Sequence, residues 1–380
     1  MSKVRLTGSS SGYAEITAPA VAGNNTVTLP SSNGSANQLL KNGATPGALE
    51  YSTVSIGSTG ELDKITAING GPLAGFRNRI INGDFDFWQR GTSFTGSEYT
   101  ADRWINTRVG TTHTASRQGF TPGENSVANE PTYYCRTIVT SVAGASNLSY
   151  LEQRIEDVRT FAGQQVTISL WARVDATKNI SVELEQVFGT GGSPSASVQG
   201  IGVTKVSIGT SWQKVTVTAT VPSISGKTLG SNNDHHLKLG IWFDAGSGLN
   251  ARTDSLGQQS GTFDIAQVQI EPGSVATPFE QRPIATELAL CQRYFEALNG
   301  GTIKAAGEGP AGAEGSRQYF GFATTKRAAP TMAYPAVSQS NCNLASNSAT
   351  NGFNVTATIV STGTFGYDYS AGNVTASAEL

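Results

Sequence analysis

Apolar and polar residues alternate with a period of two over several long runs in the middle of the chain. Val166-Thr167-Ile168-Ser169-Leu170-Trp171-Ala172-Arg173-Val174, Ile180-Ser181-Val182-Glu183-Leu184-Glu185 and the run from Trp212 to Val221 are three of them. Leu237 to Phe243 and Phe263 to Ile270 are two more. Successive side chains of a strand point to opposite faces, so each run predicts a half-buried β-strand. No helical pattern separates the runs, which predicts antiparallel pairing and an all-β jelly-roll sandwich over 76–283.

The flanks read differently. Residues 1–75 contain no Phe, Trp, His or Cys, and their apolar runs are short, as in Tyr13-Ala14-Glu15-Ile16-Thr17 and Thr26-Val27-Thr28-Leu29-Pro30. Gly23-Asn24-Asn25, Ser31-Ser32-Asn33-Gly34 and Lys41-Asn42-Gly43 punctuate them as turns. Such small β pieces need a partner surface, which three copies of the chain would supply; a flexible tail is the alternative. After Pro283, Ile284, Leu288, Cys291, Phe295 and Leu298 are spaced 4, 3, 4, 3. That spacing predicts a short helix whose seam packs on copies of itself, or an amphipathic helix packed on its own domain. Beyond Gly300-Gly301 the pattern returns to strands, so 284–380 reads as a short helix and a small β-rich domain.

Composition narrows the function. The chain has 380 residues, 14% of them charged, 44 Gly and a formal net charge of −2, with 15 Phe, 11 Tyr and 5 Trp. The aromatics exclude a disordered chain. The even charge, with no basic run longer than two, argues against a nucleic-acid partner. Cys135, Cys291 and Cys342 are too widely spaced for a CxxC metal site and odd in number, so they read as buried thiols. Neither an apolar leader nor a run of roughly 18 apolar residues occurs, so the expectation is assembly in a cytoplasm without membrane insertion. The five tryptophans read as core.

Several ordered blocks carry a resemblance. Arg77-Asn78-Arg79-Ile80-Ile81-Asn82-Gly83-Asp84-Phe85-Asp86-Phe87-Trp88-Gln89-Arg90-Gly91 resembles the opening of the jelly-roll domain in bacteriophage tail fibres. Tyr99-Thr100-Ala101-Asp102-Arg103-Trp104, Leu170-Trp171-Ala172-Arg173 and the block from Ile265 to Gly273 are similar to later parts of that pattern. Pro278-Phe279-Glu280 and Cys291-Gln292-Arg293-Tyr294-Phe295 resemble its exit. Leu6-Thr7-Gly8-Ser9 and the block 18–25 resemble the leader of cyanophage tail fibres. The resemblance implies a homotrimeric virion protein, held to a tail or adaptor protein through residues 1–75. It also implies a distal end that binds a host surface glycan such as lipopolysaccharide.

Candidate chemistry is sparse. No Gly-x-Ser-x-Gly elbow or HExxH occurs, and His235-His236 on a strand would face opposite ways. A fibre can carry a depolymerase, which needs two carboxyls roughly 5 to 10 Å apart. Glu183 and Glu185 share a strand face at roughly 6 to 7 Å, although they most simply mark the solvated side of the sandwich. Asp84, Asp86 and Asp264 are the candidate calcium ligands that glycan-binding jelly rolls suggest, with turn-capping aspartates as the alternative and no metal or cofactor assigned. Tyr319, Tyr334, Tyr367 and Tyr369 are the candidate glycan-stacking residues, with an aromatic pair in a trimer core as the alternative for the last two. The expected function is host attachment without catalysis. A depolymerase tailspike and the carbohydrate-binding module of a secreted hydrolase are the alternatives.

Overall fold

The computed structural model describes residues 3–7, 13–17, 26–32, 38–45, 48–55 and 76–380. Gly8, Ser9, the block 18–25, Asn33-Gly34 and Gly75 lie outside the described residues. The chain divides into two compact units, Met1–Ile68 and Asn69–Leu380. In the first, β1 (Lys3–Thr7) pairs antiparallel with β2 (Tyr13–Thr17), and β3 (Gln38–Asn42) with β4 (Leu49–Ser55). Thr28 bridges to Ala48. Val27, Leu29 and Leu40 remain exposed to solvent.

The second unit opens with the strands of the sandwich: β5 (Ser93–Phe94), β6 (Glu98–Tyr99), β7 (Trp104–Val109), β8 (Thr112–Gly119), β9 (Tyr133–Thr140) and β10 (Leu148–Glu156). They continue with β11 (Gln165–Val174), β12 (Lys178–Val187), β13 (Val198–Ile208), β14 (Gln213–Thr220) and β15 (His236–Ala245). After the single helical turn α1 (Asn250–Thr253), β16 (Gly261–Pro272) completes the set. They form two six-stranded antiparallel sheets, ordered β13-β12-β15-β10-β7-β6 and β14-β11-β16-β9-β8-β5. The alternation read from the sequence is the alternation of burial: along β14, Val215, Val217 and Ala219 face the core between exposed Lys214, Thr216, Thr218 and Thr220. Leu184, Leu239 and Ile241 of one sheet meet Ile168, Leu170 and Ile265 of the other in one cluster. Phe243 and Phe263 stack across it with centroids 4.9 Å apart. Burying each such side chain contributes about 1.5–3 kcal/mol, which is why the sandwich closes.

The segment before β5 plugs one end of the sandwich. Ile80, Phe85 and Trp88 enter the core cluster, and Phe85 stacks on Trp104. Asn82 holds the turn: its Nδ2 donates to the carbonyls of Phe87 and Asp102, and its Oδ1 accepts from the Phe87 amide. Gly83 lies against β16, accepting from the Val268 amide at 2.9 Å; a Cβ there would collide with the Val268 carbonyl.

β16 carries one irregularity. Ser169 of β11 pairs with Gln269 and Trp171 with Ala266, so β16 carries one residue more than its partner between these pairs. Gln267 sits in this bulge with φ +46°, a left-handed conformation uncommon for a residue with a side chain.

The chain then forms α2 (Ile284–Gln292), β17 (Phe295–Asn299), β18 (Lys304–Gly309), β19 (Glu314–Gly321), β20 (Thr331–Ala333) and β21 (Ser338–Ser340). β22 (Cys342–Ala349), β23 (Gly352–Ile359), β24 (Gly363–Asp368) and β25 (Asn373–Ser377) follow. These strands build three three-stranded sheets, β17-β25-β20, β18-β24-β21 and β19-β23-β22, around Phe353, Val355, Ile359, Phe365 and Val374.

The expected seam is corrected here. α2 stops at Gln292, so Phe295 and Leu298 lie on β17 and do not extend a helical face with Ile284, Leu288 and Cys291. Contacts with the sandwich end the helix. Arg293 reaches Glu156 at 2.9 Å, the Tyr294 hydroxyl donates to the same carboxylate at 2.7 Å, and Phe295 lies 3.5 Å from the Arg90 guanidinium. Cys291 and Phe295 are buried within this chain while Ile284 is exposed. All three cysteines are free and buried. Among the described residues no helix is long and apolar enough to cross a membrane.

Candidate functional site

The two carboxylates singled out on β12 do share a face, as a period of two requires, but that face is not solvated. Glu183 is 1% and Glu185 5% exposed. Arg252, on α1, donates its Nη2 to both, with 2.9 Å to Glu185. Glu183 also accepts from the Trp242 indole at 3.2 Å and the Gly200 amide at 3.0 Å. Glu185 accepts from Lys238 at 2.5 Å and from Gln199 at 3.0 Å. Trp242 stacks on Tyr150, 4.3 Å between centroids, with Arg252 5.1 Å from its ring. Burial pushes Glu183 up against the lowering pull of Arg252. Burial raises Glu185 as well, but the hydrogen bond and charge of Lys238 outweigh it and hold the group below the usual carboxylate range. A glycosidic acid–nucleophile pair must present lone pairs to a sugar, and here the oxygens are committed to Arg252, Lys238, Trp242, Gly200 and Gln199.

The outer face of the opposite sheet keeps a cleft. On β11, Ser169, Trp171 and Arg173 alternate with the core residues Ile168, Leu170 and Ala172 and therefore point outward. Trp171 pairs across the sheet with Lys214 on one side and Ala266 on the other. Together with Phe279 and Asn129 from flanking loops, Trp171, Ser169, Lys214 and Gln267 line a cleft of about 320 Å³, a size at the lower end for a small ligand. Trp171 and Phe279 are half-buried, so ring surface is left uncovered. The bulge brings the Gln267 side chain to this wall. Gln267 is 2% exposed; its Nε2 donates to the Ala128 carbonyl at 2.8 Å, while its Oε1 is buried with no partner among the described residues. A buried amide oxygen left unpaired is costly and therefore an acceptor in waiting.

One register step along, Arg173, Asp264 and Arg136 lie in a row across the same face. Asp264 accepts from Arg136 at 2.7 and 2.9 Å and from Arg173 at 2.8 Å. Tyr134, Trp212 and Phe120 pack beside them, with centroids 4.9 to 5.3 Å apart. Trp171 and Trp212 thus belong to an outer surface, which corrects the reading of all five tryptophans as core. The parity of Trp171 with Ser169 and Arg173, rather than with Leu170, is the sequence signal for it. Sequence reasoning missed Gln267, Phe279, Asn129 and Lys214 as cleft residues, because loops and a bulge bring them together.

The calcium set separates. Asp84 and Asp86 line a different cavity with Glu280 and Glu287, whereas Asp264 is neutralised by its two arginines. Among the described residues no group of three or more His, Cys, Asp or Glu is arranged to hold a metal. Burial, with the charges of Asp86 and Glu287, pushes Asp84 up to about 8. The tyrosines separate too. Tyr367 and Tyr369 are buried in the C-terminal core, with Tyr334 packed 5.4 Å from Tyr369. Only Tyr319 of the four is exposed, at 61%. Apolar packing around Phe353 and Phe365 claims the other three rings.

No family model matches the chain, and no curated protein matches it. Solved structures resemble part of it. The enzymatically active domain of tailspike protein 4 of bacteriophage CBA120 is 13% identical over 52% of this chain, with a TM-score of 0.31; the chain spans 22% of that domain. A family 11 carbohydrate-binding module from Clostridium thermocellum, solved with a mixed-linked tetrasaccharide, is 10% identical over 49% of this chain and 98% of the module, with a TM-score of 0.29. A xylan-binding domain from Paenibacillus barcinonensis is 12% identical over 55% of this chain and 100% of its own length, with a TM-score of 0.28.

Proposed function

We infer that the sandwich binds a neutral saccharide unit in the Trp171–Phe279 cleft, and that the chain is a non-enzymatic subunit of a trimeric attachment fibre on a phage tail. The observation that carries the binding reading is Gln267, a residue of the cleft wall whose buried Oε1 has no partner among the described residues, beside two half-buried aromatic rings. Sugar rings offer apolar faces that lie on aromatic faces and hydroxyls that donate to amide oxygens. Ser169, Asn129 and Lys214 supply further polar contacts on the same wall. Binding without cleavage is supported by the closed state of Glu183 and Glu185. The fibre reading is supported by the ordered blocks resembling tail fibres and by the exposed Val27, Leu29 and Leu40, which a sister chain or a tail protein would cover. Three weak sites on one trimer would hold a host surface polysaccharide far more firmly than one.

Titrating the protein with a panel of neutral oligosaccharides and purified lipopolysaccharide polysaccharide, by calorimetry, tests it. Trp171→Ala is expected to weaken binding about tenfold, the loss of roughly 1.4 kcal/mol of stacking. Binding that is absent in the parent protein, or unchanged in the variant, would remove the saccharide reading.

A further inference from the structure

A second cleft, of about 470 Å³, lies where the end of β10 meets the segment after α2. Its walls carry three guanidinium groups, Arg79, Arg103 and Arg154, and one carboxylate, Glu156. That carboxylate is already engaged by Arg293 and by the Tyr294 hydroxyl. Two of the arginines are partly engaged. Arg154 donates to Glu152 at 3.0 Å and to the Leu380 carbonyl, and Arg103 to Glu379 and the Arg154 carbonyl. Arg103 leaves a donor over. Arg103 is 1% exposed, lies 3.5 Å from the Tyr294 ring, and its Nε has no partner among the described residues. Arg79 is exposed, and its guanidinium makes no hydrogen bond or ion pair among the described residues. Its backbone is fixed, since its amide donates to the Ile270 carbonyl at 3.0 Å.

An unpaired guanidinium and a buried, unfilled N–H on residues lining one cleft favour an oxyanion there, because both are donors and neither can accept. The cleft is also much larger than one oxyanion needs, and Gln164 adds an exposed amide to its rim. We propose that this junction cleft binds an anionic saccharide unit, a sugar ring carrying a carboxylate or a phosphate, with Arg79 as the principal charged contact. The site shares no residue with the Trp171 cleft, so it would give the protein separate recognition of a charged sugar in a polysaccharide.

Calorimetric titration of the full chain at low ionic strength with glucuronate, glucose 6-phosphate, inorganic phosphate and neutral glucose tests this. Saturable binding of glucuronate or of glucose 6-phosphate is expected, weakened at least tenfold in Arg79→Gln and unchanged in Trp171→Ala. Which of the two binds more tightly assigns carboxylate or phosphate, and either result supports the site. No saturable binding of the charged sugars, binding of neutral glucose to Trp171→Ala as tight as theirs, or affinity unaltered in Arg79→Gln overturns it. Inorganic phosphate binding without either sugar also overturns it, since a bare anion site would then be all that exists. Loss of neutral saccharide binding in Trp171→Ala reports on the other cleft alone, so the two readings fail separately.

Discussion

Arg252 donates to Glu183 through both Nε and Nη2, and its guanidinium lies 5.1 Å from the ring of Trp242, whose indole donates to the same carboxylate. The pair closes the outer face of one sheet of the sandwich. It does so with an arginine from a helical turn of four residues, far along the chain from the strand it covers.

Removing that arginine leaves the buried Glu183 without its paired cation, while Glu185 keeps Lys238. Arg252→Ala is expected to cost about 3 kcal/mol, as breaking one side of a buried pair usually does. Adding Glu183→Gln to the variant should restore part of the loss, because the uncompensated charge is then gone. Urea unfolding at pH 7 measures both; additive losses in the double variant would show that the two groups are not coupled.

Asp84 makes stability fall with rising pH. Its folded-state pKa of about 8 stands above the ordinary 3.8. Its contribution is therefore complete below about pH 4 and is lost as pH rises through 8, where the folded protein must give up a proton the unfolded chain released earlier. Asp84→Asn carries no such loss. The variant should gain at least about 1 kcal/mol on the parent between pH 6 and pH 9, read as the difference in melting temperature in the presence of a chelator.

Self-association is checked by mass. Light scattering of the full chain should give three times the 39.6 kDa of one chain. A mass of one chain at micromolar concentration would leave Val27, Leu29 and Leu40 without the sister surface proposed for them.

Much of the sandwich was legible because burial on both faces of a strand obeys parity. Val215, Val217 and Ala219 announced the inner face of β14, and Ile168, Leu170 and Ala172 that of β11. Parity says which side a residue takes and nothing of what lies over it. Glu183 and Glu185 therefore read as wet, when Arg252 and β13 cover them. Trp171 was assigned to the core because it sits inside a strand, when its parity with Ser169 and Arg173 puts it outside. The 4-3-4-3 spacing after Ile284 was a real apolar pattern, but Arg293 and Tyr294 found stronger partners on Glu156 than another helical turn could offer. Arg79 carried no sequence signal at all, because an unpaired charge is defined by the company the fold withholds.

The extra residue in β16 has a consequence for how this molecule can vary over time. Upstream of Gln267 the odd-numbered Phe263 and Ile265 point inward; downstream the even-numbered Val268 and Ile270 do. Deleting one residue here would invert the second half of the strand, carrying Val268 and Ile270 onto the polar outer face and driving Gln269 and Glu271 between the sheets. Lineages descended from this chain can thus remodel the cleft by exchanging side chains, but a one-residue change in strand length at this point is closed to them. The wall proposed to hold a saccharide and the phase of the hydrophobic interior are set by the same kink.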